Sequence, residues 1–193
     1  MTPLPDSLLE AVASAAVREG LADAVFTRLR TPIGRLLIVQ GERGIIRVGF
    51  EEEPEDHVLA EVAGRLGPRI VGSDRELALT RDTFDAYFAG EGDPHDLPVD
   101  FALVVAPFRR AVLEALHSDV AAGQVVTYGG LAERAGNPRA YRAAATACAR
   151  NPIPIVVPCH RVLPSTGGIG RYGGGPERKR ALLELEGSLP TRP

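Results

Sequence analysis

The chain has 193 residues, 45% apolar and 24% charged, so it can bury about 70% of its unfolded surface without disulfide or metal staples. No apolar run approaches the ~20 residues of a membrane span, and the composition argues against both disorder and membrane integration. The net charge of -3 hides an asymmetry: residues 1–100 carry 10 basic and 19 acidic groups, and residues 101–193 carry 12 and 6. An acidic half joined to a basic half points to a polyanion as partner of the second half.

Asp6 or Ser7 can cap a leader helix to about Glu19, with Glu10 in capping-box spacing and Leu8, Leu9, Val12, Ala16 and Val17 as its apolar face. Residues 24–50 predict a three-stranded meander: AVFTRLR, the Thr31–Gly34 turn, RLLIVQ, the Gly41–Gly44 turn, and IIRVGF. A helix over 56–66, a short strand at 69–72 and a helix over 74–88 complete a small α+β domain. Gly and Pro breaks over 90–106 coincide with the change of charge sign and place the domain boundary there. The expected division is a leader to residue 22, a first domain over 23–100 with its linker from about 90, and a second domain over 101–193.

Beyond the boundary the spacing is helical. Phe108, Val112, Leu113 and Leu116 form a core stripe on a helix over 107–117, and 131–135 is a second short helix. Asn137-Pro138 starts a third to residue 149, giving helix-turn-helix proportions with PRAYRAAATACA in the recognition position. Arg139 and Arg142 among small alanines suit close approach to a nucleic-acid groove; the same composition also suits a plain packing helix with solvated arginines.

The segment NPIPIVVPCHRV carries the chemistry. Ile153, Ile155, Val156 and Val157 predict a short buried strand between Pro152 and Pro158, ending at Cys159. A cysteine is nucleophilic as thiolate, and adjacent His160, steadied by a carboxylate such as Glu186, is a standard way to remove its proton. Cys148, in an alanine run, reads as a small buried hydrophobe. Two cysteines make no disulfide framework or zinc cluster, so reduced thiols are expected. The N-terminus has neither a basic region nor a long apolar core, which argues against a secretory signal and for a cytoplasmic protein. Gly168, Gly170 and Gly173 have the spacing of a dinucleotide-binding loop, but the strand lies too far upstream and too few residues follow for a βαβ unit. A glycine loop that wraps a flat ligand, with Tyr172 over its face, fits better. Arg178, Lys179 and Arg180 in the first turn of the last helix oppose its macrodipole, and anion contact would explain them. Lys179 is the sole lysine.

PCHRV at 158–162, the preceding NPIPIVVP, GIGRYGGG, ERKRALLELEG and VVTYGGLAERAGNPRA at 125–140 together resemble the O6-alkylguanine-DNA alkyltransferases, densely over 107–187. The resemblance implies an α+β chain: a ribonuclease-H-like N-terminal domain, then a mainly helical winged-helix, helix-turn-helix domain that binds DNA and carries the catalytic thiol. It implies irreversible, single-turnover transfer of the alkyl group of O6-alkylguanine, with O4-alkylthymine as a further candidate, to Cys159 after the base is flipped from the duplex. His160 and Glu186 would relay the proton through water, and Asn151 would orient the site. Arg142 would enter the base stack and Tyr128 would crowd the target phosphate, with Thr127, Arg139, Tyr141 and Ala143 beside them on DNA. Tyr172, Lys179, Val162, Gly173 and Arg161 would form or support the guanine pocket, with Tyr128 or Lys179 supplying the donor that neutralises the leaving guanine.

The partner implied is double-stranded DNA containing O6-alkylguanine, bound by a monomer, with cooperativity on DNA left open. No cofactor or metal is expected, since the first half lacks the N-terminal cysteines through which some family members hold zinc. Tyr141, Ala145, Thr146 and Leu113 depart from residues common in the family. The alternative is a lesion-binding sensor without repair, although such relatives usually lack the cysteine. A thiol hydrolase is disfavoured because no oxyanion arrangement accompanies Cys159 and His160.

Overall fold

The computed structural model describes residues 5–189. The described chain divides into two compact units: residues 5–85 with Leu97–Leu103, and Ala86–Asp96 with residues 104–189. The sequence placed most of 90–106 in a linker. Instead, residues 86–96 fold with the second unit and 97–103 with the first.

In the first unit, β1 (Ala24–Thr31), β2 (Gly34–Gly41) and β3 (Gly44–Phe50) form the expected antiparallel meander. The short β4 (Ile70–Gly72) runs parallel to β1, giving the order β3-β2-β1-β4. Leu36, Leu37, Ile38 and Val39 of β2 are all buried, as a strand covered on both faces requires. Helix α2 (Glu55–Leu66) lays Val58 and Val62 on Leu37, Val39 and Ile46. Glu55 and Asp56 in its first turn complement the helix dipole.

The leader helix α1 (Asp6–Arg18) forms, but with a different face inward and no capping box. Pro5 is the N-cap, and Glu10 instead accepts hydrogen bonds from the Ser73 hydroxyl and from the Arg75 N–H. Ala13 and Ser14 are buried, Ser14 donating to Glu76 at 2.7 Å, whereas Leu8, Leu9 and Val12 are exposed. Helix α3 (Ala78–Phe88) starts later than residue 74, because Ser73 accepts the Glu76 N–H in a turn.

In the second unit, α4 (Pro107–Asp119) buries Val112, Leu113 and Leu116, with Phe108 half-buried. Helix α5 (Tyr128–Arg134) begins earlier than the sequence suggested, because the Thr127 hydroxyl accepts the Gly130 N–H and caps it. Helix α6 (Tyr141–Ala149) begins later. Asn137-Pro138 forms a turn, closed by the Ala140 N–H on the Asn137 carbonyl, instead of the first helical turn. Two-residue strands β5 (Val126–Thr127) and β6 (Val162–Leu163) pair in parallel, and α7 (Pro176–Leu185) closes the unit. Among the described residues no helix is long and apolar enough to cross a membrane.

Gly44 has φ +132, and a Cβ there would lie 2.3 Å from the Pro98 carbonyl oxygen; Gly64, within α2, has nothing within 4 Å of that position. Gly44→Ala should therefore cost more than about 2 kcal/mol in urea unfolding, while Gly64→Ala should gain about 0.5–1 kcal/mol.

Candidate active site

The segment 151–158 is buried as predicted, but it is a turn and not a strand. Pro154 has no N–H to give a ladder, and Ile155 takes the left-handed conformation at φ +76, which reverses the chain. The Val157 N–H bonds the Ile153 carbonyl at 2.9 Å. The Asn151 side chain braces the turn from inside: Oδ1 accepts from the Ile153 N–H at 3.0 Å and Nδ2 donates to the Val157 carbonyl at 2.8 Å. Nδ2 also lies 3.2 Å from Cys159 Sγ. The residue that shapes the loop therefore also fixes the thiol.

Cys159 opens a 3-10 turn, Cys159–Arg161, and is 5% exposed. It lies on the wall of a cavity of about 440 Å³. Tyr128, Tyr172, Gly170, Gly173 and Pro164 share that wall, and α6 contributes Ala145, Cys148 and Ala149. Gly170 has φ +69, and a Cβ on it would come within 3.0 Å of the Pro164 ring. Only glycine lets the loop approach so closely.

His160 is fully buried, with Nε2 2.8 Å from Glu186 Oε1. The carboxylate fixes the tautomer: Nε2 carries the hydrogen, and Nδ1, for which no described residue supplies a partner, keeps its lone pair. Glu186 also accepts from Arg161 Nε at 3.0 Å and Nη2 at 2.9 Å, and from the Tyr87 hydroxyl at 2.6 Å. Burial alone would raise the Glu186 carboxyl, but the His160 and Arg161 hydrogen bonds and charges overcome it and hold the group at about 2. His160 is pushed down by burial against the pull of Glu186. Burial pushes the Cys159 thiol up to about 11, against the opposing Asn151 hydrogen bond and Lys179 charge. Cys148 is also raised by burial. The resting site thus holds a thiol beside a neutral imidazole, not a preformed thiolate.

Three expected pocket residues sit elsewhere. Arg161 is a fully buried clamp, bonded to Glu186, Asp93 and the Val120 carbonyl. Val162 is buried in β6, where its carbonyl accepts from Lys179 Nζ at 2.7 Å. Lys179 stands behind the loop, its Nζ 4.0 Å from where a Gly170 Cβ would lie, and burial lowers its pKa. The cations in the first turn of α7 have neighbours within the chain. Arg178 donates to the Gly174 carbonyl, Lys179 is buried, and Arg180 lies 3.8 Å from Glu184. Tyr172 and Gly173 line the cavity.

Of the residues expected on DNA, Arg139, Tyr141, Arg142 and Ala143 are exposed in a row through the turn into α6, with the Arg142 guanidinium 5.5 Å from the Tyr141 ring centroid. Thr127 caps α5, and Tyr128, half-buried, reaches the cavity wall. One helix therefore presents arginine outward and lines the thiol cavity inward. Sequence reasoning did not single out Tyr87, Asp93 or the cavity-wall Arg171, the last although it lies within GIGRYGGG. The first two are chemically ordinary residues near a boundary, and only the fold brings them to Glu186 and Arg161. Among the described residues no group of three or more His, Cys, Asp or Glu side chains gathers to hold a metal.

Residues 24–101 match the family model for the ribonuclease-like domain of 6-O-methylguanine DNA methyltransferase, and residues 107–188 match that for its DNA binding domain. The chain belongs to this family. A methylated-DNA–protein-cysteine methyltransferase of Methanosarcina acetivorans is 37% identical over 164 residues, 82% of this chain and 95% of the relative. That of Mycobacterium tuberculosis strain H37Rv is 46% identical over 107 residues, 55% of this chain; the match spans 63% of that relative's length. The crystal structure of Mycobacterium tuberculosis OGT in complex with DNA superposes with a TM-score of 0.70 at 33% identity, over 85% of this chain and 93% of that one. The methyltransferase family fold is thus mixed α+β in this chain, with its ribonuclease-like domain first and its DNA-binding domain second.

For this family member, the buried thiol predicts a distinctive reactivity. In a Cys148→Ala background, iodoacetamide labelling of Cys159 should keep rising with pH to about 10 without a plateau, and Asn151→Ala should push the curve to still higher pH by removing a hydrogen bond that lowers the thiol pKa. A plateau near neutral pH would contradict the geometry.

Proposed function

We propose that the protein repairs duplex DNA by transferring the alkyl group of O6-alkylguanine to Cys159, once per molecule. The observation that carries this reading is the cavity wall itself: a thiol held by Asn151 and followed in sequence by a histidine whose Nε2 is locked on Glu186. Family membership supports the same chemistry. Cys159 Sγ attacks the alkyl carbon, the bond from that carbon to O6 breaks, and a thioether forms. The thiol proton passes through a water to His160 Nδ1, so sulfur gains nucleophilic character as the alkyl group moves. The departing guanine takes a proton, for which Tyr128 on the cavity wall is the proposed donor, while the Lys179 charge favours the developing negative charge from behind the loop. The neutral thioether is a poor alkyl donor, since thiolate is a poor leaving group, and the protonated guanine is a weak nucleophile, so the alkyl group stays on sulfur.

A thiol 5% exposed cannot reach a base within the stack. The lesion must flip out, at a cost of a few kcal/mol, least for a weakly paired base. Arg142, exposed at the start of α6, would occupy the gap left behind, and Tyr128 would meet the rotated nucleotide at the cavity. Arg139, Tyr141 and Ala143 would lie along the same groove.

Incubation with a duplex containing O6-methylguanine should add one methyl group to the Cys159 peptide, read by mass spectrometry, and Cys159→Ala should bind the duplex without any mass change. Wild-type protein that binds the lesion and gains no mass would instead identify a sensor. Arg142→Ala should slow transfer from the duplex at least tenfold more than transfer from free O6-benzylguanine, because only the duplex must be flipped. Equal losses on both substrates would assign Arg142 to the pocket.

A further inference from the structure

The proposed transfer uses His160 as proton acceptor and Glu186 as its partner, yet the carboxylate is gripped from a direction this chemistry does not require. Tyr87, 2% exposed near the end of α3, donates its hydroxyl to Glu186 Oε1 at 2.6 Å. That oxygen also faces His160 Nε2 at 2.8 Å and Arg161 Nη2 at 2.9 Å. Arg161 Nη2 is itself shared with Asp93, at 2.9 and 3.1 Å to its two oxygens. The groups facing the His160–Glu186 pair are therefore Tyr87 from α3, Asp93 from the segment after it, Arg161 from the 3-10 turn, and Tyr172 from the glycine loop. The Tyr172 ring stands edge-on to His160 at 6.4 Å between centroids.

We propose that Tyr87 and Asp93 are positioning residues that set how strongly His160 holds a proton, acting through Glu186 and Arg161 in opposite directions. Unlike Arg161, Tyr87 is a neutral donor on Glu186, and unlike His160 it stays neutral throughout transfer. It draws charge from Oε1 without bringing a positive charge near the imidazole, and so weakens the pull of the carboxylate on a His160 proton. Burial, reinforced by Glu186, raises the Tyr87 hydroxyl far above its ordinary range, so it remains a donor throughout. Asp93 does the reverse. It neutralises part of the Arg161 guanidinium, whose full charge would otherwise oppose a protonated His160 and bind Glu186 more completely. His160 is thereby kept neutral at rest but able to accept a proton during transfer.

Two near-isosteric substitutions separate this role from simple support. Tyr87→Phe should move the His160 titration midpoint up by roughly half a pH unit or more, and Asp93→Asn should move it down by a similar amount. Both are read by NMR titration of the imidazole ring, assigned by its loss in His160→Gln. The acid limb of the alkyl-transfer rate should follow, so that Tyr87→Phe is several-fold slow below neutral pH and recovers as pH rises. Midpoints and limbs that stay put, or that move the same way in both variants, would overturn the proposal. The kinetic arm rests on the transfer reading and the NMR arm does not. Opposite midpoint shifts in a protein that transfers no alkyl group would uphold the positioning role and overturn the transfer.

Discussion

The catalytic unit is organised around one buried carboxylate. Glu186, just past the end of α7, accepts hydrogen bonds from His160, Arg161 and Tyr87. A carboxylate taken out of water is tolerated only when its lone pairs are met by well-placed donors, one of them here a full positive charge. Meeting that demand joins the C-terminal helix, the 3-10 turn that starts at Cys159, and the segment 86–96. The tautomer of His160, the seat of Arg161 and the orientation of the Cys159 turn all follow from it. The second constraint is Asn151, whose amide spans the turn and reaches the thiol.

These two constraints explain why the thiol can be buried and still be the proposed acceptor. Burial raises its pKa and protects it from indiscriminate chemistry, while the adjacent neutral imidazole offers a destination for the proton only when an electrophile is in line. The proposed transfer needs a nucleophile for a single event, and a guarded thiol suits that better than a standing thiolate.

Much of this was legible in the sequence, and the failures have physical reasons. The meander, α2 and α4 followed from period and turn residues, and PCHRV with Asn151 and Glu186 marked the site. The stretch 153–157 looked like a strand because its apolar residues are buried, but burial does not distinguish a strand from a tight turn, and Pro154 was the sign that no ladder could run through it. Leu8, Leu9 and Val12 were expected inward on α1. Polar pairs, Ser14 with Glu76 and Glu10 with Ser73, instead turned Ala13 to the core. Lys179 and Arg161 were expected at or supporting the pocket from the family resemblance, and each spends its donors on backbone carbonyls or buried acids. Tyr87 and Asp93 were invisible because their importance comes from partners 99 and 68 residues away in the chain.

Helix α6 has a consequence for how such a protein can diverge. Tyr141 and Arg142 are exposed at its start, and Ala145, Cys148 and Ala149 wall the thiol cavity. A bulkier residue at Ala145 or Cys148 would narrow the cavity and press on the same helix that carries Arg142. Cavity width and the placement of Arg142 are therefore coupled in this architecture. They are two readouts of the position of one nine-residue rod.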